Sequence, residues 1–301
     1  MWREILCLPF YTDCIIIVMF LRHNHVCRNM KYTLRTLVIL SALLPPSCSV
    51  QQQAPIVRSE SIDTTNRKKP ILTFAILKLS FNTPGDSTLE GGVCGSGFFV
   101  DPTTAVTANH VLNDSTFLPN AGYKQCRVWL ITREGVIYSI NRQVIKPFPA
   151  IDTTVIQLNG YKKESISRDR FDRGSVPRGA KVRGLGHVGN AMPKIDAKWE
   201  GDVLRIAKAD LSSVYSDRSG HVERSLVLDV NANDVKMKNV RGFELSFSTC
   251  VGMSGGPVVN AENGQVLGML TFGLPADAEI KTQTFAVSID EILTRAFEDG
   301  T

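Results

Sequence analysis

The 301-residue sequence predicts an all-β protein built from closed or sandwiched antiparallel sheets. Short segments rich in β-branched and aromatic residues recur along most of the chain. Turn signals such as Thr83-Pro84-Gly85 and Asp101-Pro102 separate them. Long helical periods are rare, which argues against helix-covered parallel sheets.

Taken in order, the first fifty residues stand apart. Met30-Lys31-Tyr32-Thr33-Leu34-Arg35 is a basic start, Leu37 to Leu44 an apolar run, and Pro45-Pro46-Ser47-Cys48-Ser49 a stretch of small residues. This is the layout of a secretory signal over residues 30–49. It makes residues 1–29 an over-long N-terminal extension and leads us to expect a secreted or periplasmic protein. The run is far shorter than the ~20 residues of a membrane-spanning helix. Contact with a membrane is expected only if Cys48 carries a lipid, as in a lipoprotein. A signal anchor built from this run and the apolar stretch Cys14 to Leu21 is the competing reading. Residues 50–69 are polar and read as a tether.

Strands are predicted next over residues 71–81, 97–100, 104–107, 127–131, 135–140 and 154–158. The polar stretch from Asn159 to Gly179 reads as a boundary, placing one domain at 70–165 and another at 166–301. Strands resume at 181–185, 203–206, 225–230, 243–247, 257–260, 266–272 and 284–287. Ser288-Ile289-Asp290-Glu291 is a capping box followed by Ile292, Leu293 and Phe297 at helical spacing, so a helix ends the chain.

Charge narrows the function. Residues 1–50 hold five Lys/Arg and two Asp/Glu of the chain's 34 and 29, leaving 29 basic and 27 acidic residues after them. So small a surplus is no nucleic-acid footprint, because phosphate binding needs clustered positive charge. Of seven cysteines only Cys94, Cys126 and Cys250 follow the signal, without C-x-x-C spacing, so no metal site is expected. One disulfide plus a free thiol is open, with no pair preferred.

Gly252-Met253-Ser254-Gly255-Gly256-Pro257 is the stretch most suggestive of chemistry. Glycines let a tight turn aim the Ser254 hydroxyl outward and direct the amides of Gly252 and Ser254 at one point, as an oxyanion site requires. A nucleophilic serine needs a base, and histidine is the best one near neutral pH. All five histidines precede Ser254. That order excludes the α/β-hydrolase elbow, whose histidine follows its serine, and leaves His, Asp, Ser. His23 and His25 fall in the signal region. His187 and His221 read as structural or surface residues. His110, in Thr107-Ala108-Asn109-His110-Val111, follows a short strand after small residues, and Asp152 stands at the start of an apolar strand where it can orient an imidazole.

Cys94-Gly95-Ser96-Gly97-Phe98-Phe99, Thr107-Ala108-Asn109-His110, Asp152-Thr153-Thr154-Val155 and Cys250-Val251-Gly252-Met253-Ser254-Gly255-Gly256-Pro257 together resemble the four signature blocks of the chymotrypsin/trypsin-like serine proteases, in order and over about residues 70–298. The bacterial secreted and periplasmic members look closest. The resemblance implies two six-stranded antiparallel β-barrels with a C-terminal helix and a cleft site. His110 and Asp152 come from the first barrel and Ser254 from the second. It implies a serine endopeptidase acting on protein or peptide substrates through an acyl-enzyme, with Gly252 and Ser254 as the oxyanion hole and no cofactor. Thr271-Phe272-Gly273 resembles the strand that pairs with substrate backbone, and Ser248 with Thr249 falls at the primary pocket.

The departures from the pattern are informative. Met253 replaces the aspartate that pairs with a freshly cut N-terminus in activatable members, so no such switch is expected. Cys250 lacks a later partner, and Val111 stands where the partner of Cys94 would be. No carboxylate marks the pocket, and Leu270 replaces the histidine of glutamate-specific relatives. An uncharged, apolar or small side chain is therefore expected before the scissile bond. The alternative is a silent protease-fold binding or adhesion protein. A chaperone-protease with an appended peptide-binding domain is not expected, as the 44 residues after Pro257 are used by strands and helix.

Overall fold

A computed structural model describes residues 73–158, 170–232, 235–274 and 283–298. All of them belong to one compact unit, Asp63–Thr301. The expected signal, Cys48, the tether and most of the polar boundary lie outside the described residues.

Short apolar runs, most of them buried on both faces, organise the N-terminal half. β1 (Thr73–Phe81), β2 (Glu90–Phe99), β3 (Thr104–Ala108), β4 (Gln125–Thr132), β5 (Ile137–Ile140), β6 (Ile145–Phe148) and β7 (Thr153–Gln157) form one antiparallel sheet in the order β5-β4-β1-β2-β3-β7-β6. It has seven strands where six were expected. The addition is β6, a four-residue edge containing Pro147, which cannot donate to a ladder and so belongs at a margin. On β1, Phe74 and Ile76 enter a core with Phe98, Val106, Leu130 and Val155, whereas Ala75, Leu77, Leu79 and Phe81 enter another.

β8 (Lys181–His187) opens the C-terminal half. β9 (Lys194–Glu200) and β10 (Val203–Asp210) make a separate hairpin, and Leu204, Ile206 and Ala209 cover the second face of β1. Its Trp199 packs edge-on against Phe81, ring centroids 5.1 Å apart, and donates its Nε1–H to the Asp86 carbonyl at 3.0 Å. β11 (Tyr215–Ala232), β12 (Val235–Leu245), β13 (Pro257–Asn260), β14 (Val266–Leu274) and β15 (Gln283–Ser288) close with β8 into a six-stranded barrel of order β11-β12-β15-β14-β13-β8. The fold is thus all-β, as expected.

The halves share a core. β12 packs against the 3₁₀ turn Pro149–Ile151, and Met237 and Val240 are buried with Ile151. α1 (Ile289–Leu293) begins where predicted: the Ser288 hydroxyl caps it by accepting the Glu291 N–H at 3.2 Å. The Glu291 carboxylate turns instead to Arg241, at 2.7 Å.

Candidate active site

Asp152 is placed by its local sequence. Pro149 starts the 3₁₀ turn, Asp152 closes it with its N–H on the Pro149 carbonyl at 3.1 Å, and β7 follows. The Asp152 backbone is left-handed, φ 47°, a region aspartate enters more readily than bulkier residues. Its carboxylate is 1 % exposed and faces His110, which leaves the end of β3. The His110 Nδ1 lies 2.9 Å from Asp152 Oδ2 and 3.1 Å from Oδ1, and the His110 backbone N–H donates to Oδ1 at 3.0 Å. The Asn109 N–H also donates to the Asp152 carbonyl at 3.0 Å. A buried carboxylate on Nδ1 sets the tautomer with its proton there and leaves Nε2 free as a base. The imidazole side chain is 21 % exposed, open to a reacting partner.

From the second half, the buried Thr271 of β14 donates its hydroxyl to Asp152 Oδ2 across the cleft. Ser254 is half-buried and donates its hydroxyl to the Thr271 carbonyl at 3.0 Å. His110, Asp152 and Thr271 are therefore joined directly, and Ser254 is tied to the same strand. No hydrogen bond joins Ser254 to His110 among the described residues.

The turn carrying Ser254 depends on its glycines. Gly252 has φ +90° and Gly255 +86°. A Cβ on Gly255 would stand 2.1 Å from the Ser96 carbonyl oxygen, and one on Gly252 would stand 2.2 Å from the Gly189 nitrogen. The Gly255 N–H donates to the Leu270 carbonyl at 2.7 Å, fastening the turn to β14. The N–H groups of Gly252 and Ser254 have no acceptor among the described residues. Met253 is fully buried with Leu267 and Leu270.

Of the expected substrate residues, Thr271 meets this turn through its carbonyl on the Ser254 hydroxyl. Ser248 and Gly273 are exposed, and Phe272 stacks on Phe285 with centroids 4.8 Å apart. Thr249 is half-buried, its hydroxyl 3.5 Å from that of Thr284, which pairs with Gly273 across β14 and β15. Thr284 was not anticipated; a threonine in a β-rich run carries no signal of its own. His187 is buried and His221 is a surface residue 3.2 Å from Glu223. Cys94, Cys126 and Cys250 are all free thiols. Burial pushes the Cys94 thiol up to about 12, so it stays protonated and donates weakly to the Ile76 carbonyl at 3.4 Å. Among the described residues no cluster of metal-ligating side chains occurs.

A sequence model of the trypsin-like peptidase domain matches residues 95–269. Solved structures resemble the chain at low identity. The HtrA-type protease AlgW with decapeptide aligns with a TM-score of 0.52 and 13 % identity, covering 76 % of this chain and 64 % of that one. The chain thus spans less than two thirds of that protein. The Rv3671c protease from M. tuberculosis aligns at 0.47 with 18 % identity, covering 75 % and 81 %. The MamO protease domain from Magnetospirillum magneticum aligns at 0.46 with 18 % identity, covering 75 % and 96 %. No curated protein sequence matches the chain.

Proposed function

The chain belongs to the trypsin-like peptidase domain family, and from that premise we propose that it is a serine endopeptidase working through His110, Asp152 and Ser254. The observation that carries this reading is the buried Asp152 carboxylate, bonded on one side to His110 Nδ1 and on the other to the Thr271 hydroxyl. The Thr271 carbonyl in turn holds the Ser254 hydroxyl at 3.0 Å.

The sequence of steps is acyl transfer. An extended substrate segment adds to Thr271-Phe272-Gly273, and its backbone N–H takes the Thr271 carbonyl. That releases the Ser254 hydroxyl to turn toward His110. Nε2 of His110 accepts the Ser254 proton as Oγ bonds to the substrate carbonyl carbon. The oxyanion is received by the N–H groups of Gly252 and Ser254, which are unpaired among the described residues. The imidazolium, steadied by Asp152, then gives its proton to the leaving amine as the peptide C–N bond breaks. Water repeats the cycle on the ester: His110 takes a water proton and returns it to Ser254.

Ser248, Thr249 and Thr284, the hydroxyl residues at the proposed primary pocket, carry no charge, which supports an uncharged side chain before the scissile bond. Secretion is part of the same reading, carried by Met30 to Ser49. The test is a peptide mixture incubated with the protein and its Ser254→Ala form, with products read by mass spectrometry. Cleavage after uncharged residues, lost in the variant, is the expected result. No cleavage by a folded protein would favour a binding scaffold. Products ending mainly in Arg, Lys or Glu would overturn the pocket assignment.

A further inference from the structure

We propose that Ser96, on β2 of the first half, is the positioning residue that sets the oxyanion site on the second half. This rests on the endopeptidase reading above. Ser96 is 0 % exposed, and a buried hydroxyl inside a strand is costly unless its hydrogen bonds are made. Every polar atom of Ser96 is used. Its N–H donates to the Ser254 carbonyl at 2.9 Å, and its carbonyl accepts the Thr107 hydroxyl at 2.6 Å. Its Oγ accepts the His187 N–H at 2.8 Å and spends its single proton on the Gly252 carbonyl at 2.7 Å.

Two of these bonds land on the residues whose amides form the proposed oxyanion site. Gly252 is the residue most in need of such a hold. With no Cβ and φ +90° its peptide planes are free to turn. Both planes are fixed from outside the turn. The Val251 carbonyl accepts the Gly189 N–H at 2.6 Å. In a trans peptide C=O and N–H point in opposite directions, so the Gly252 N–H faces away from Gly189. The next plane is fixed by the Ser96 hydroxyl on the Gly252 carbonyl. Close packing keeps the parts in register: a Cβ on Gly186 would stand 3.1 Å from Ser96 Oγ and 3.0 Å from Met253 Cα. With Met253 buried and uncharged, this neutral clamp from β2 does the ordering for which activatable relatives use an ion pair.

The test is Ser96→Ala in the full chain, with a peptide substrate and a peptide aldehyde that mimics the tetrahedral state. Loss of one oxyanion donor typically costs about 10²–10³ in kcat. A donor left in place but unsteady should cost less, so we expect kcat to fall roughly 10–100-fold with KM changed less than about threefold. Aldehyde affinity should fall in parallel with kcat. Trp199→Ala, which loosens the distant hairpin, serves as the comparator: it should lower the melting temperature and leave kcat alone. Hydrogen exchange of the Gly252–Gly256 amides, below either melting transition, gives a reading independent of turnover. Faster exchange in Ser96→Ala supports the clamp. Unchanged exchange, unchanged kcat, or a loss confined to KM or melting temperature would overturn it. If the parent neither cleaves peptides nor binds the aldehyde, the endopeptidase reading fails, and the exchange data alone then decide whether Ser96 holds the turn.

Discussion

His187 makes the protein acid-sensitive in a way that can be calculated. The ring is fully buried, its Nδ1 is 3.4 Å from the Ser96 hydroxyl, and its Nε2 has no partner among the described residues. Tyr215 meets it edge-on at 5.7 Å, and the Arg133 guanidinium lies 4.5 Å from the centre of the Tyr215 ring. Burial first, and the Arg133 charge second, lower its pKa from 6.5 to about 4. Above pH 6.5 the ring is neutral in folded and unfolded chains alike and contributes no pH dependence. As pH falls through 6.5 the unfolded chain takes up the proton and the folded one does not, so stability is lost until the folded ring also titrates. The complete loss is about 3 kcal/mol, of which about 2 kcal/mol is already gone at pH 5. Against a typical total of about 5–15 kcal/mol that is readily measured. The assay is urea unfolding at several pH values between 8 and 4 for the parent and for His187→Phe, which keeps the contact with Tyr215 and cannot titrate. The stability difference between them should shift by about 2 kcal/mol in favour of the variant between pH 8 and pH 5. A difference that stays constant across that range would refute the reasoning.

Three further outcomes follow from the same geometry. Asp152→Asn keeps the shape but removes the acceptor that fixes the His110 tautomer, so kcat should drop on the order of 10⁴-fold at neutral pH with little change in KM; steady-state kinetics decide this. Gly255→Ala forces a Cβ to within 2.1 Å of the Ser96 carbonyl oxygen at a φ of +86°, which should destabilise by roughly 3 kcal/mol or more and abolish turnover; calorimetry beside the activity assay checks both. Trp199→Ala removes the edge-on contact with Phe81 and the bond to Asp86, costing roughly 2–4 kcal/mol. Limited proteolysis should then cut first within residues 194–210 while turnover persists.

Much of this architecture was legible because it depends on side-chain patterning. The apolar runs of β1 and β4, the glycine frame around Ser254 and the Ser288 cap all leave marks in the sequence. What escaped depends on partners distant in the chain. The first part of β11, Tyr215–His221, is polar and offers no hydrophobic alternation; backbone pairing with β8 makes it a strand. β9 presents charged residues outward, and its weak apolar face makes sense only against the outer side of β1. Val203–Ile206 was recognised as a strand, but nothing local says that it leaves the barrel for that hairpin. At the site, the residue types and their order pointed to His110, Asp152 and Ser254. The hydroxyl of Thr271 on Asp152, the resting bond of Ser254 to the Thr271 carbonyl and the grip of Ser96 on the turn arise where the halves meet, and no spacing encodes them. Thr284 joins Thr249 only through strand register.

The most direct test of the central claim is covalent labelling of Ser254. The protein would be treated with a fluorophosphonate beside its Ser254→Ala and His110→Ala forms, and the adduct mapped by mass spectrometry. An assembled triad predicts one adduct, on Ser254, absent from the first variant and nearly absent from the second, in keeping with losses on the order of 10⁶ when such a nucleophile or base is removed. A folded parent that stays unlabelled, or that labels equally well without His110, would contradict the account.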